Sequence, residues 1–405
     1  MAAAPAARHL LAQNEHPGPP LPSVVAALAA AAGDLHRYPD FRPQRIEGII
    51  ADWQGVPAGQ VAVGHGSAGV ALDLFHAVVE PGDNVVHSAP CFDAYPLFCE
   101  IARAEARAVP PGPPPPPPPA PARARAGQGP PRGGAWGPPP PPSPAAAPPA
   151  HTGAPRAPCS APTRVFGAPP PPARPPVPLG PDARHDLAAM AERLDERTRI
   201  VVLCNPHNPT GTVYSWAELT DFFRRVPATA LILLDEAYVD FARDWAAPAV
   251  PDRIAEWPNL VVLRTLSKSH GIAALRIGYA LAEESVAQRV RDHQVPYAVN
   301  RLQEAGLLAA VSAQDEVDRR IAEIAAERER LRAELLGLGW TVAPSLTNFL
   351  WVVAPGDQLP LRTELERRGV AVRYYAGQGI RIAVGEKDAN DAVIEGFGAT
   401  APAAP

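Results

Sequence analysis

The chain has 405 residues, ordinary hydrophobic content and a formal net charge of −5, so it is long enough to bury a large core. No apolar run approaches the roughly 20 residues of a spanning helix, and the modest charge argues against a nucleic-acid groove. Residues 1–10 lack the pattern of a signal peptide, and the four cysteines show neither metal-ligand nor disulfide spacing. We expect a cytoplasmic protein without nucleic-acid, membrane or metal partners.

Short apolar runs alternate with helical patterns along most of the chain, and each run ends in glycine or polar residues. Continuous runs of this kind, with helices between them, indicate strands of a mostly parallel sheet that is covered on both faces. Ligands of such sheets bind beyond the carboxyl ends of the strands, so several strand ends can contribute to one site. The predicted strands are 60–63, 84–86, 200–203, 231–234 and 260–263.

One segment, from about residue 110 to 176, differs from the rest because it is dominated by Pro, Ala, Gly and Arg. Proline lacks the N–H that helices and sheets need, and the segment has few apolar side chains to bury. We therefore predict a disordered or polyproline II insertion within the large domain. An artefact of the sequence and a docking site for a proline-binding partner are the alternatives.

The pattern changes after about residue 290. Apolar residues between 317 and 338 keep three-, four- and seven-residue spacing, which predicts one long amphipathic helix that ends at Gly339. Short apolar runs follow, and they predict the strands of a smaller α+β domain. These runs are 349–353, 370–372 and 379–384.

Lysine is nearly absent from the chain, since only Lys268 and Lys387 occur among 37 basic residues. Lys387 lies in a polar stretch that is typical of solvated surface, whereas Lys268 follows closely on the predicted strand 260–263. A lysine amine can lose its proton and form a Schiff base, which the guanidinium group of arginine cannot do. A lysine that arginine has not replaced, at the end of a strand, predicts covalent amine chemistry.

Other strand ends carry the groups that pyridoxal phosphate requires of its binding site. Asp235 closes a predicted strand, where a carboxylate is costly unless it pairs with a cation such as a pyridinium nitrogen. Tyr238 lies three residues further on, and Asn208, in a turn bounded by prolines, can donate an amide N–H to the same ring. Phe92 follows another strand and can cover a face of the ring.

Residues that suit a phosphate group lie on both sides of Lys268. Arg276 can bind a phosphate with two hydrogen bonds, and Thr265 and Ser267 can add hydroxyl donors. The stretch 66–69 opens a predicted helix, and helix N-termini bind phosphate. Together with Lys268, these residues predict a complete cofactor site.

With these motifs the chain resembles a fold-type I pyridoxal-phosphate aminotransferase of the histidinol-phosphate aminotransferase family. The resemblance extends from about residue 10 to 390 except for the proline-rich segment, and the lysine motif with its downstream arginine is its most specific part. The matching stretches are HRYPD at 36–40, NPHNPTG at 205–211, DEAY at 235–238, LRTLSK at 263–268, LRIGY at 275–279, NF at 348–349 and GIRI at 379–382.

The resemblance implies an α/β fold like that of aspartate aminotransferase, in which a large domain holds a mostly parallel, seven-stranded sheet between helices. A smaller α+β domain follows at the C-terminus. The implied division is an N-terminal arm and helix (1–34), a large cofactor-binding domain (35–289) and a small domain (290–400). The resemblance also implies a homodimer, in which Tyr38 reaches the cofactor phosphate of the neighbouring subunit and the active sites are shared across the interface.

The same resemblance implies a role for each site residue. Lys268 forms the Schiff base and moves the proton, Asp235 holds the pyridinium, and Asn208 and Tyr238 bind the ring hydroxyl. Arg381 pairs with the α-carboxylate of the substrate. The other cofactor contacts that it implies are Ala68, Gly69, Thr265, Ser267 and Arg276. To these we add Ser67 and Phe92 as predicted cofactor contacts, and Asn348 and Arg373 as predicted substrate contacts.

Two amino donors are alternatives for this site. The compact, aromatic stretch 372–379 resembles the aromatic (phenylalanine) aminotransferase branch, which implies transfer from an aromatic amino acid to a 2-oxo acid such as 2-oxoglutarate. Histidinol phosphate is the other donor, and Arg373 would then bind its phosphate. A non-catalytic scaffold that displays the proline-rich segment is a rival of another class, against which the intact set of Lys268, Asp235 and Arg276 argues.

Overall fold

A computed structural model describes residues 8–109 and 183–400 of the chain. Within these ranges the helices are α1 (Pro22–Ala31), α2 (Gln44–Gln54), α3 (Gly66–Val78), α4 (Ala94–Ile101), α5 (Leu187–Ala191), α6 (Trp216–Phe223), α7 (Val250–Glu256), α8 (Glu284–Asp292), α9 (Arg301–Ser312), α10 (Gln314–Gly337), α11 (Leu359–Arg367) and α12 (Lys387–Ala399). The strands are β1 (His9–Leu10), β2 (Val61–His65), β3 (Asn84–Ser88), β4 (Glu105–Val109), β5 (Thr198–Cys204), β6 (Leu231–Asp235), β7 (Leu260–Thr265), β8 (Ile277–Ala282), β9 (Phe349–Val353), β10 (Val370–Ala371), β11 (Arg373–Tyr375) and β12 (Gly379–Ala383).

Seven strands form the main sheet in the order β2-β8-β7-β6-β5-β3-β4. Neighbouring strands are parallel except in the two pairs that include β8, so the predicted mostly parallel sheet is confirmed. The five predicted strands are present as β2, β3, β5, β6 and β7. β8 is not among the predicted strands, because it runs antiparallel directly after the lysine motif and does not follow the alternation of strand and helix.

Alternate residues of the central strands enter two different hydrophobic cores, which explains why these strands are apolar throughout. In β6, Ile232 and Leu234 pack into one core and Leu233 packs into the other. All three side chains are fully buried, and burial of one such side chain contributes about 1.5–3 kcal/mol. Packing on both faces therefore holds the strands in place, and the polar residues at their carboxyl ends are left to form a site.

The long helix predicted for residues 317–338 is confirmed as α10. Its buried apolar residues keep the predicted spacing and include Val317, Ile321, Ile324, Leu331 and Leu335. The helix ends two residues before Gly339, whose φ of +85° is a left-handed conformation that glycine adopts without strain.

A second sheet consists of three antiparallel strands in the order β11-β12-β9. Ile380 and Ile382 of β12 point into the core of this part of the chain, and Arg381 between them points to the opposite face. The strand predicted at residues 370–372 is present as β10, outside this sheet. The short β10 pairs in parallel with β1, because the N-terminal arm supplies the partner strand, and β11 lies in the sheet instead.

We propose that the chain is divided into an N-terminal arm (1–34), a large domain (35–289) and a small domain (290–400). All strands of the seven-stranded sheet fall within residues 35–289, and all strands of the three-stranded sheet fall within 290–400. We propose that the first range binds the cofactor and that the second contributes the residues that recognise the substrate.

The prediction of a disordered insertion at 110–176 lies outside the described residues. β4 ends at Val109 before the segment, and α5 begins at Leu187 after it. In the described ranges, no helix combines the length and the apolar character needed to cross a membrane.

Candidate active site

Three neighbouring strands of the main sheet bring the predicted residues together at their carboxyl ends. Asp235 is the last residue of β6, Asn208 follows β5, and Lys268 follows β7. Arg381 of β12 joins them, because its Nη1 donates a hydrogen bond to Oδ1 of Asn208 at 2.5 Å. Residues from both sheets therefore line one site, as the resemblance implies.

Asp235 is a buried carboxylate with a partner on each oxygen. The hydroxyl of Tyr95 donates to Oδ2 at 2.6 Å, and the backbone N–H of Ala237 donates to Oδ1 at 3.0 Å. Burial raises the pKa of Asp235 above its usual value, and the two hydrogen bonds oppose that shift. Phe92 lies close by, since its ring centroid is 5.7 Å from that of Tyr95 in an edge-to-face arrangement.

Tyr95 is absent from the set of residues predicted from the sequence. It lies in α4, where a tyrosine among apolar residues is typical of core packing. Its place three residues after Phe92, on the helix that follows a strand end, is the only signal that the sequence offers.

Tyr238 and Asn208 lie side by side, as predicted for two residues that bind one hydroxyl group. Nδ2 of Asn208 is 3.5 Å from the hydroxyl oxygen of Tyr238, and Nδ2 of Asn14 donates to the same oxygen at 3.0 Å. Asn14 is buried and is also absent from the predicted set, because its position in the N-terminal arm carries no periodic signal.

The amine of Lys268 faces the N-terminal arm. Nζ donates to the backbone oxygens of Gln13 and Asn14, both at 3.2 Å, and lies 5.9 Å from the ring centroid of Tyr238. Burial and the nearby positive charge of Arg381 lower the pKa of Lys268 to about 8. A lysine with such a pKa is partly neutral near physiological pH and therefore suits covalent amine chemistry.

A cradle for a phosphate lies where α3 begins. The guanidinium group of Arg276 lies over Gly66, where a Cβ atom would come within 2.3 Å of Nη2, and a Cβ atom on Gly278 would meet the backbone N of Ser67 at 2.0 Å. α3 begins at Gly66 without a side-chain cap, so its first turn offers free backbone N–H groups. This turn contains Ser67, Ala68 and Gly69.

Two hydroxyl groups complete the cradle. Thr265 and Ser267 are buried, and their hydroxyl oxygens are 2.9 Å apart. Nη1 of Arg276 lies 3.5 Å from the hydroxyl of Ser267 and donates to the backbone oxygen of Ala273 at 2.9 Å. A guanidinium group, two hydroxyls and a helix N-terminus form a donor set that suits a phosphate dianion. Together with Lys268 and Asp235, this donor set fits pyridoxal phosphate.

Among the described residues, Arg381 keeps Nε and other N–H donors free for a ligand. Its Nη2 donates to the backbone oxygen of Ala12 at 2.6 Å, while Nε is buried and has no hydrogen-bond partner among the described residues. Asn348 resembles it, since Nδ2 donates to the backbone oxygen of Asn14 at 3.0 Å and Oδ1 has no partner in the same part of the chain. A carboxylate placed beside them would accept from the free Nε of Arg381.

Two predicted residues lie apart from this site within the chain. Tyr38 is 80% exposed, and its ring lies against that of Tyr297 with centroids 5.0 Å apart. Nη2 of Arg373 contacts Oδ2 of Asp93 at 2.6 Å, and both side chains are about half exposed. Neither residue contacts Lys268 or Asp235.

A family model described as aminotransferase class I and II matches residues 9–113 and 173–397. The aromatic amino acid aminotransferase of Streptomyces avermitilis is 35% identical over 97% of this chain and 91% of its own length. The enzyme of the same name from Thermobifida fusca is 36% identical over 95% of this chain and 88% of its own length.

Among solved structures, the histidinol-phosphate aminotransferase from Sinorhizobium meliloti in complex with pyridoxal 5′-phosphate has the same fold, with a TM-score of 0.75 at 22% identity. The match covers 97% of this chain and 91% of that one, which confirms the predicted fold class. Residues 114–172 lie outside the family match, so relative to the family model this stretch is an insertion.

Proposed function

Because the chain belongs to the class I and II aminotransferase family and is a pyridoxal-phosphate-dependent transaminase, we propose that its amino donor is an aromatic amino acid and its acceptor a 2-oxo acid such as 2-oxoglutarate. One observation carries the proposal. Lys268, Asp235 and Arg381 converge at the carboxyl ends of three strands, beside a cradle that fits a phosphate. The alternative function, a non-catalytic scaffold, does not explain why these residues converge.

Two observations favour an aromatic donor over histidinol phosphate. Relatives that are 35–36% identical carry the name aromatic amino acid aminotransferase, whereas the likeness to a histidinol-phosphate aminotransferase at 22% identity supports the fold alone. In addition, Arg373, the residue expected to bind a substrate phosphate, is already paired with Asp93. A substrate phosphate that binds Arg373 would have to displace the carboxylate of Asp93 from it.

The face of the small sheet that carries Arg381 also offers an aromatic surface. Trp351 lies directly opposite Arg381 in the antiparallel register, so both side chains are on the same face. The ring of Tyr375 lies 5.1 Å from that of Trp351. We propose that a substrate whose α-carboxylate binds Arg381 directs its side chain towards these rings.

In this proposal each site residue has a distinct role in transamination. Pyridoxal phosphate, when bound, supplies an electron sink that acidifies the Cα–H bond of the amino acid. Nζ of Lys268 takes the proton from Cα, which its lowered pKa of about 8 makes effective near neutral pH. Asp235 holds the proton on the ring nitrogen, and Arg381 orients the substrate through its carboxylate.

The remaining site residues hold and orient the cofactor. Asn208 and Tyr238 donate to the ring hydroxyl, and Phe92 covers one face of the ring. The phosphate is held by Arg276, Thr265, Ser267 and the first turn of α3. Asn348 supports the substrate end through the N-terminal arm.

We propose a homodimer in which Tyr38 serves the partner's site. Tyr38, Phe41 and Tyr297 form a ring cluster at the surface, with neighbouring centroids 5.0 and 5.3 Å apart. These side chains are 80%, 57% and 43% exposed. Exposed aromatic clusters are typical of protein–protein interfaces, and a second copy of the chain would cover this one.

Steady-state kinetics with phenylalanine and with histidinol phosphate test the choice of donor. We expect kcat/KM to be at least about tenfold higher for phenylalanine than for histidinol phosphate. A buried, apolar aromatic surface offers no partner for the charge of a phosphate, so burying that charge costs free energy. The product 2-oxo acid is measured directly, with 2-oxoglutarate as the acceptor. A preference for histidinol phosphate would overturn the proposal.

The variant Arg373→Gln separates the two donors within the same experiment. If the donor is aromatic, we expect kcat/KM for phenylalanine to stay within about threefold of the wild type, because only an exposed ion pair is lost. A selective loss of activity towards histidinol phosphate would instead assign Arg373 to a substrate phosphate.

Deletion of residues 114–172 tests whether the insertion takes part in the enzyme. The family model matches both sides of this stretch and does not include it, so we expect the shortened chain to keep kcat and KM for phenylalanine within about twofold and to elute as the same oligomer. An insoluble or inactive product would show that the stretch is an integral part of this transaminase. A deletion of equal length that begins in β5 is the control that should not fold.

A further inference from the structure

The carboxylate of Asp235 has one side-chain donor among the described residues, and it is a tyrosine. The hydroxyl of Tyr95 lies 2.6 Å from Oδ2, a distance typical of a strong hydrogen bond to a charged acceptor. The two residues are 140 positions apart in the sequence, on α4 and on β6. Their contact is therefore a product of the tertiary fold.

Tyr95 is held in one orientation by its neighbours. Its side chain is 1% exposed, and its ring makes edge-to-face contacts with Phe92 at 5.7 Å and with Phe98 at 6.1 Å. Burial and the nearby charge of Asp235 raise the pKa of Tyr95, so its hydroxyl keeps its proton and acts as a donor. The hydroxyl group therefore points at Asp235 at a fixed distance.

We propose that Tyr95 is a positioning residue of the transaminase, which holds Asp235 ionised and in place for the pyridinium nitrogen of the cofactor. The inference rests on the role proposed for Asp235. It assigns to Tyr95 a function beyond its part in the core that surrounds Phe75 and Phe98.

The physical reason lies in the burial of the carboxylate. Burial raises the pKa of Asp235, and the hydrogen bond from Tyr95 is the largest influence in the opposite direction. A protonated Asp235 could not keep a proton on a ring nitrogen. The other titratable groups near the Asp235–Tyr95 pair, which lie on several elements, are Cys91, Cys204, Glu236, Tyr238 and Lys268.

Of these groups, Lys268 is the one whose positive charge stabilises the charged carboxylate, and its influence is smaller than that of the Tyr95 hydrogen bond. The backbone N–H of Ala237 is the remaining donor, and it reaches the other oxygen. Without the hydroxyl of Tyr95, Oδ2 would have no donor among the described side chains. Tyr95 is thus the side chain that contributes most to keeping Asp235 ionised among the described residues.

The test compares Tyr95→Phe with the wild-type chain. In the apoprotein, infrared spectra with isotope-labelled aspartate report the carboxyl band of Asp235, which is assigned by its absence in Asp235→Asn. We expect the protonation midpoint of Asp235 to rise by about one to two pH units, because a hydrogen bond to a charged group is lost. In the holoenzyme, we expect kcat for phenylalanine to fall at least about tenfold with little change in KM.

Two further variants separate positioning from packing. Tyr279→Phe removes another fully buried tyrosine hydroxyl, on β8, and we expect it to leave the Asp235 midpoint and kcat unchanged. Tyr95→His keeps a donor, and we expect it to recover part of kcat. A Tyr95→Phe chain that melts at a lower temperature but keeps the wild-type midpoint and kcat would overturn the inference. A wild-type chain inactive with every amino donor would overturn the proposed function instead.

Discussion

Replacing Lys268 with arginine is expected to lower kcat/KM for transamination at least about 10⁴-fold while the fold persists. Arginine keeps the positive charge and nearly the same length, but it does not lose its proton near neutral pH, so it neither forms the covalent link nor takes the Cα proton. Single-turnover assays with phenylalanine and circular dichroism on the same samples measure activity and folding separately. An arginine variant with near-normal turnover would contradict every role assigned to this site.

The variant Lys268→Met is the matched control for charge, and its effect on stability depends on pH. In the fold the pKa of Lys268 is lowered to about 8, whereas an unfolded chain has a lysine pKa of about 10.4. Between these values the unfolded state binds more protons, so the unfolding free energy of the wild-type apoprotein rises with pH. We expect Lys268→Met to melt at a higher temperature than the wild type at about pH 7. We expect this difference in melting temperature to be smaller at about pH 10.5.

The second large effect is expected at Glu236, the neighbour of Asp235. Glu236 is 1% exposed and accepts from Nη1 of Arg253 at 2.5 Å and from Nη2 of Arg264 at 2.7 Å. Replacing it with glutamine leaves two buried or half-buried arginines without a counter-charge, which costs about 3–5 kcal/mol of unfolding free energy. For a chain of this size we expect the melting temperature to fall by roughly 5 °C.

The pH dependence of this effect has a definite sign. Burial pushes the pKa of Glu236 up, but Arg264 and Arg253 hold it below its usual value. The stabilisation is therefore complete above the unfolded glutamate pKa of about 4.3 and is lost as the pH falls through the lower folded value. The difference in unfolding free energy between the wild type and Glu236→Gln should therefore become smaller at acidic pH.

An exposed ion pair supplies the control for Glu236. Arg362 and Glu366 lie one helical turn apart in α11 with side chains that are 57% and 54% exposed. We expect Glu366→Gln to change the unfolding free energy by less than about 1 kcal/mol. If Glu236→Gln and Glu366→Gln lowered the unfolding free energy equally, the ion pairs of Glu236 with Arg253 and Arg264 would not stabilise the fold as we expect.

Asp235 and Glu236 also illustrate where sequence patterns stop being informative. Both follow the apolar run of β6, and a pattern of residue types does not distinguish them. The strand directs them to opposite faces, where Asp235 meets a tyrosine hydroxyl and Glu236 meets two guanidinium groups. Their pKa values consequently shift in opposite directions.

The amino-acid sequence by itself determined five strands of the main sheet, the long helix, and the positions of Lys268 and Asp235, to which we assign the covalent link and the pyridinium contact. These features depend on hydrophobic periodicity and on polar residues at strand ends, which are local properties of the chain. The near absence of lysine made Lys268 conspicuous. Five of the seven strands of the main sheet could be predicted on this basis.

Only the tertiary structure decided which distant groups contact the residues that the sequence singled out. Tyr95 reaches Asp235 from 140 positions away, Asn14 reaches Tyr238 from 224, and Asp93 reaches Arg373 from 280. No local pattern specifies such partners, because they are selected by how helices and the N-terminal arm pack over the strand ends. Hydrogen bonding in a buried site follows from that packing, and so does the charge state of every group on which the chemistry depends.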